Sequence, residues 1–160
     1  MVNQWEQLSL GRTFCDSSPR ICLGNRFRMV LWYLDASMVY RRNGFAKSIE
    51  LLERHRKDAV YFPYNDSVEA IRVARRALIL PRILGRLIME STLCLPGSVS
   101  LTSGLLGLGL RAELVLGKAR HYLNSRFDLH AWVEVDGIPV IESPQIKYRF
   151  QELVRVPKFS

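Results

Sequence analysis

The segment Leu129–Val135 constrains the fold of this chain more than any other feature, because its residues alternate strictly between two faces. One face would carry Leu129, Ala131, Val133 and Val135, and the other would carry His130, Trp132 and Glu134. The pair Asp136-Gly137 comes next and is typical of a hairpin turn. Residues 138–141 would return as a second strand, so we expect an antiparallel sheet in the C-terminal half.

The remaining periodicities predict a mixed α+β fold. Helices are predicted over 25–42 with Asn25 as N-cap, over 45–57 after a break at Gly44, from the N-cap Asp66 through Leu78, and over 98–106. Pro81 is expected to kink or split the helix that begins at Asp66. Further strands are predicted over 111–117 and 150–156, and a polar loop over 121–128. Helices followed by antiparallel strands are typical of the α+β class. We expect a single domain, with a helical N-terminal part over 1–80 and a second part over 81–160 that contains the sheet.

Composition narrows the functional classes. The net charge is +8, but the basic excess is spread evenly along the chain, which is weaker evidence for nucleic-acid binding than one basic stripe would be. We expect no nucleic-acid partner, although a non-enzymatic basic protein that binds nucleic acid stays as a rival interpretation. The charge also suits a partner with an acidic face, such as a peptide. No secretory signal and no spanning segment are visible, so a cytoplasmic location is expected. The three cysteines, Cys15, Cys22 and Cys94, are expected to be free thiols. No metal-ligand or nucleotide motif occurs, so we expect neither a metal nor a cofactor.

Cys94 and His130 are the residues best placed for chemistry. Cys94 precedes a predicted helix, and the N-terminus of a helix favours the reactive thiolate and offers a backbone N–H to an oxyanion. His130 follows 36 residues later inside a strand, where the backbone fixes its direction. A helix-borne cysteine with a strand-borne histidine is the arrangement of papain-like and transglutaminase-like enzymes. We therefore predict a nucleophile and a general base.

A third group should orient the histidine, and Asp136, Glu142 and Gln145 are the candidates. Which of the three can reach His130 depends on the register of the hairpin. A two-residue turn would put Glu142 on the face opposite His130, whereas a three-residue loop with a bulge at Gly137 would place the two directly across from each other. We predict the three-residue loop, and with it Glu142.

Three strings carry a family resemblance: Cys94-Leu95-Pro96, the run Gly-Leu-Arg-Ala-Glu-Leu-Val-Leu-Gly at 109–117, and His-Ala-Trp-Val-Glu-Val-Asp-Gly at 130–137. Together they resemble the lasso peptide leader peptidases, which are transglutaminase-like cysteine proteases of bacterial clusters that make ribosomal peptides. The resemblance covers residues 68–142 well and extends loosely to 27–57. It departs from the family at Gly97, where a basic residue is common.

The resemblance implies that residues 81–160 form a transglutaminase-like catalytic core, and it implies an activity and partners. The family cleaves the leader from a lasso precursor peptide, and an ATP-dependent cyclase then closes the ring. Carried over by position, Cys94 is the nucleophile, His130 the base and acid, and Glu142 stands where an aspartate is common. The chain resembles the stand-alone form of the peptidase, which works with a separate leader-binding protein.

Other interpretations stay open at this point. The same triad could serve a transglutaminase-like acyltransferase, and the Glu142 and Gly97 departures would also fit a catalytically dead scaffold. Trp132 is expected in the core or in a pocket wall, and Glu134 at the surface or on the substrate; we take both as candidate substrate-binding residues. His55 is expected to be exposed.

Overall fold

A long helix forms the first layer of the fold. The computed structural model describes residues 21–64, 66–79, 83, 94–120 and 128–159. Helix α1 spans Leu23–Asp58 and is interrupted at Gly44, whose φ of 76° and ψ of −170° are not helical. The predicted break at Gly44 is therefore confirmed. The predicted cap is wrong, because Asn25 lies inside the first turn and donates instead to the Leu108 carbonyl oxygen at 3.3 Å.

Helix α2 spans Ser67–Ala77 and begins as the sequence predicts. The Asp66 side chain accepts a hydrogen bond from the Glu69 backbone N–H at 2.7 Å, which satisfies one of the unpaired donors of the first turn. The predicted apolar face is buried, with Ile71 and Ala74 at zero exposure. Three predictions lie outside the described residues: the kink at Pro81, the free thiol of Cys15 and the loop over 121–128, of which only residue 128 is described.

Helix α3 spans Cys94–Leu108 and lies at the centre of the molecule. It is buried continuously from Ser98 onward, as expected for a helix covered on all sides. A Cβ at Gly104 would lie 3.3 Å from the Met29 carbonyl oxygen, so the small residues of α3 allow α1 to approach closely. The helix begins four residues earlier than predicted, and Cys94 belongs to it.

A four-stranded antiparallel sheet covers the other side of α3. Its order is β3-β2-β1-β4, and its strands are β1 at Ala112–Ala119, β2 at Leu129–Val135, β3 at Ile138–Pro139 and β4 at Phe150–Val156. A short helix, α4, spans Ile146–Arg149 and precedes β4. The fold is α+β with a helical N-terminal part, as predicted. Since α1 packs on α3, the N-terminal helix and the C-terminal half share one core.

The β2–β3 turn differs from the prediction. Val135 pairs with Ile138, so the turn holds only Asp136 and Gly137. Both residues have positive φ, 47° and 75°, as a two-residue hairpin turn requires. The predicted three-residue bulged loop is wrong, because Asp136 and Gly137 together adopt the left-handed pair that matches the strand twist.

Candidate active site

Cys94 is the first residue of α3 and is an exposed free thiol. One turn further on, the Ser98 hydroxyl donates to the Ala131 carbonyl oxygen at 3.0 Å. Ala131 follows His130 directly on β2. The Ser98 bond therefore holds the first turn of α3 against the strand segment that carries the histidine.

His130 and Glu142 are in contact. The distance from His130 Nε2 to Glu142 Oε1 is 3.6 Å, which is an ion-pair distance and slightly longer than a hydrogen bond. The two side chains are 30% and 27% exposed. Because Nε2 faces the carboxylate, Nδ1 is the ring nitrogen left to exchange a proton with a nucleophile. A carboxylate next to one ring nitrogen of a histidine is the arrangement that the base and its orienting group have in a catalytic triad.

A bend in the backbone, and not the predicted bulge, brings Glu142 next to His130. Strand pairing ends at Pro139, although the Val140 N–H still donates to the Val133 carbonyl oxygen at 3.0 Å. Arg75 Nε on α2 donates to the Val140 carbonyl oxygen at 3.0 Å and fixes the point where the chain leaves the sheet. The bend that follows turns Glu142 to the His130 side, which the two-residue register alone would have prevented.

Burial is the main cause that raises the pKa of the Glu142 carboxyl above its usual range, while His130 acts in the opposite direction. The carboxylate orients an imidazolium only when it is ionised. Since the pKa in the folded protein is raised, Glu142 becomes protonated at a higher pH than an exposed glutamate does. As the pH falls, we therefore expect Glu142 to stop orienting His130 at a higher pH than an exposed glutamate in the same place would.

Replacing this carboxyl by an amide tests its role. We expect Glu142→Gln to lower kcat, with a loss about one to two orders of magnitude smaller than that caused by removing the nucleophile. The matched control is Asp136→Asn, the same chemical change in the turn, where asparagine tolerates positive φ. It should leave kcat unchanged. Equal losses in the two variants, measured as peptide turnover, would contradict the assignment of Glu142.

The other two candidates for the orienting group lie elsewhere. Asp136 is in the turn at the far end of β2, about 20 Å along the strand from His130. There, burial and the nearby Asp136 carboxylate raise the pKa of the Tyr64 hydroxyl. Gln145 is exposed at the residue before α4. Of the three candidates, Glu142 is the one in contact with His130.

Trp132 and Glu134 do not fit the predicted substrate contacts. Trp132 is 2% exposed and Glu134 is fully buried. The indole Nε1 donates to Glu134 Oε1 at 2.9 Å, and Glu134 is also paired with Lys147 and Arg155. A substrate cannot reach side chains that are enclosed in this way. For Trp132, the alternative expectation of a core position is the one that agrees with the structure.

His55 is buried, contrary to the expectation of exposure. Its Nδ1 lies 2.8 Å from the Ser103 hydroxyl and its Nε2 lies 3.6 Å from Asp35. Burial lowers the pKa of this imidazole. The arrangement resembles a serine triad, but Ser103 has no exposed surface and donates its proton to the Trp32 carbonyl oxygen at 2.8 Å. The cluster therefore links α1 to α3 and is no second active site.

Sequence reasoning missed three residues that build the site: Arg75, Ser98 and Gly117. Arg75 and Ser98 bond to backbone carbonyls far along the chain, and no local pattern signals such bonds. Gly117 gave a signal, since a glycine inside a strand indicates close approach by another group. Its Cβ would lie 2.8 Å from the Trp132 ring.

Comparison with known proteins assigns the family. Residues 30–155 match the Transglutaminase-like superfamily. The match covers most of the chain, so the protein belongs to this superfamily. No curated protein and no solved structure gives a match. Among the described residues, no helix is long and apolar enough to cross a membrane, and no group of three or more metal-binding side chains is found.

Proposed function

We propose that the protein is a cysteine peptidase that hydrolyses the bond between leader and core in a lasso precursor peptide. The observation that carries the proposal is the His130–Glu142 pair, held next to the helix that begins at Cys94 in a transglutaminase-like chain. Members of this superfamily commonly use a cysteine, a histidine and an acidic residue for hydrolysis or acyl transfer. The Cys-Leu-Pro and His-Ala-Trp-Val-Glu strings support the finer assignment to leader removal.

Acylation would begin with proton transfer from the Cys94 thiol to His130. The thiolate attacks the last carbonyl carbon of the leader, and the developing oxyanion can accept a hydrogen bond from the Cys94 N–H. This N–H has no carbonyl partner within the helix, because it belongs to the first turn. Imidazolium His130 then gives its proton to the leaving amine of the core peptide. The products of this step are the free core and a thioester between Cys94 and the leader.

Deacylation would use the same groups with water. Neutral His130 takes a proton from a water molecule that attacks the thioester, and the proton returns to the sulfur of Cys94 as the bond breaks. In both steps Glu142 stabilises the imidazolium and keeps Nδ1 directed away from itself. Leader with a free carboxylate leaves, and the resting thiol is restored.

The proposal includes a separate leader-binding protein and an ATP-dependent cyclase. In the described residues before α3, the elements are the helices α1 and α2, and the separate leader-binding protein is proposed from the resemblance to the stand-alone peptidases. We also propose a cytoplasmic location, because the nucleophile must stay a reduced thiol.

The deciding experiment is mass spectrometry of a lasso precursor peptide from the same gene cluster, incubated with the protein and the leader-binding protein in water labelled with oxygen-18. We expect cleavage at one bond, with one labelled oxygen in the new leader carboxylate. An added amine, such as hydroxylamine, tests the alternative function.

The outcomes separate the interpretations. A leader amide formed with the amine, and no labelled acid in its absence, would replace hydrolysis by acyl transfer. No product with a folded protein and a competent partner would indicate the dead scaffold. Cleavage that proceeds equally well without the leader-binding protein would remove that partner from the proposal and leave the peptidase in place.

A further inference from the structure

We infer that Trp132 and Glu134 are positioning residues that set the orientation of the His130 imidazole. This inference deepens the proposed function and rests on it. Neither residue would touch the substrate. Both act through a chain of contacts on the outer face of the sheet, from Arg155 on β4 through Glu134 and Trp132 on β2 to His130.

Two aromatic rings flank the His130 imidazole. The His130 ring centroid lies 5.3 Å from that of Phe150 and 6.2 Å from that of Trp132. The His130 and Trp132 rings are nearly parallel, with 16° between their planes, and the third side of the triangle, between Trp132 and Phe150, is 6.1 Å. With Glu142 at Nε2, the imidazole has neighbours that restrict both its tilt and its rotation.

Gly117 is the reason that the indole can lie so close. Gly117 pairs with His130 across β1 and β2. A Cβ on this glycine would lie 2.8 Å from Cη2 and Cζ3 of Trp132, closer than Cβ atoms approach other carbons, and 3.0 Å from the Phe150 Cβ, which would have to shift. The six-membered ring of Trp132 therefore lies over the backbone of Gly117, beside the histidine.

Glu134 fixes the rotation of the indole. Trp132 Nε1 donates to Glu134 Oε1 at 2.9 Å, and the carboxylate is held at its other oxygen by Arg155 Nη1 at 3.0 Å. Lys147 Nζ approaches Glu134 Oε1 to 3.1 Å. Arg155 and Lys147 thus hold the carboxylate that accepts the indole proton. The hydrogen bond fixes the Nε1 end of the indole, and the packing over Gly117 fixes its six-membered ring.

Stability alone does not account for a carboxylate at this place. Glu134 has no exposed surface, and burying a carboxylate removes it from water at a large desolvation cost. An apolar side chain of similar length would fill the volume without that cost. Besides a counter-charge for Arg155 and Lys147, the carboxylate supplies what an apolar side chain lacks, an acceptor that holds the Trp132 N–H in one direction.

The test compares Trp132→Phe with Glu113→Gln. Trp132→Phe keeps an aromatic ring but removes the N–H that binds Glu134. Glu113→Gln weakens another contact of Arg155, 2.6 Å long, and leaves the indole bond in place. We expect Trp132→Phe to lower kcat about tenfold with KM changed less than about twofold, because the substrate is bound but the base is misdirected. Glu113→Gln should leave both constants unchanged.

A substrate-independent readout separates this inference from the proposed function. In a background where Cys15 and Cys22 are serine, the rate of Cys94 alkylation by iodoacetamide is followed against pH in wild type, His130→Ala and Trp132→Phe. We expect the wild-type profile to differ from that of His130→Ala, and that of Trp132→Phe to lie between them. The Glu113→Gln profile should match wild type.

Two results would overturn the inference in different ways. Identical profiles for wild type and His130→Ala would show that the base does not act on Cys94, and the proposed function would fail with it. A normal wild-type profile that Trp132→Phe leaves unchanged would overturn the positioning role alone. If Trp132→Phe does not fold, Glu134→Met replaces it, since this variant keeps the indole and removes its acceptor, together with one partner each of Lys147 and Arg155.

Discussion

Cys94→Ala abolishes leader cleavage while the protein stays folded: this is the expected result for the residue on which the whole mechanism depends. Loss of a catalytic nucleophile lowers kcat by about six orders of magnitude in a comparable triad, which brings the product below detection. The thiol is exposed, so its removal leaves no cavity and the melting temperature should stay the same. His130→Ala should abolish cleavage as well. The measurement is peptide mass spectrometry combined with thermal unfolding.

Cys22→Ala is the matched control for the nucleophile. Cys22 is the other described free thiol that is exposed, and it lies at the N-cap position of α1. This variant should cleave the peptide at the wild-type rate. Cleavage that survives in Cys94→Ala, or that is lost in Cys22→Ala, would show that the wrong thiol has been assigned.

Among the single substitutions, Arg155→Met should lower the free energy of unfolding most. On the outer face of the sheet, Glu113 and Glu134 are directly opposite each other on β1 and β2, and both are buried. Arg155 Nη1 lies 2.6 Å from Glu113 and 3.0 Å from Glu134 and is the cation that the two carboxylates share. Without it, the two like charges face each other away from water, and the half-exposed Lys147, which pairs with Glu134, is left as their counter-charge. We expect the free energy of unfolding to fall by about 3–5 kcal/mol, measured by urea denaturation.

Glu152→Gln is the control for this loss. Glu152 is the third carboxylate on Arg155, but its side chain is 45% exposed. Removing a solvated ion pair of this kind should change the free energy of unfolding by less than about 1 kcal/mol. Combining Arg155→Met with Glu113→Gln and Glu134→Gln should recover much of the lost stability, because the uncompensated charges are then gone. An Arg155→Met variant as stable as wild type would contradict this account.

Local patterns predicted many of the elements. Strands β2 and β4 have the predicted bounds, and Asp66 caps α2. These features depend on the alternation of side chains along a strand and on one side chain bonding three residues away, so short stretches of sequence contain the information. The prediction was weaker at the start of α3, where Cys94 was placed in the preceding loop.

The site was predicted only in part, since its geometry depends on contacts between distant residues. The contact between His130 and Glu142 was expected, but the reason given for it was wrong. The predicted bulge does not exist, and the bend after Val140 takes its place. That bend is held by Arg75, which is 65 residues away in the sequence, so hairpin rules alone could not have found it.

Local sequence patterns predicted the α+β class and the strand faces and made Cys94 and His130 the candidates for acyl transfer, because periodicity and residue chemistry are local properties. Which carboxylate lies beside the histidine and which is enclosed depends on the packing of the folded chain. Glu142 and Glu134 carry the same chemical group, yet one contacts His130 and the other is buried under Arg155. Glu142 reaches the histidine because the chain leaves the sheet after Val140, and Glu134 is enclosed because β4 brings Arg155 next to it. Both features depend on packing between segments far apart in the chain.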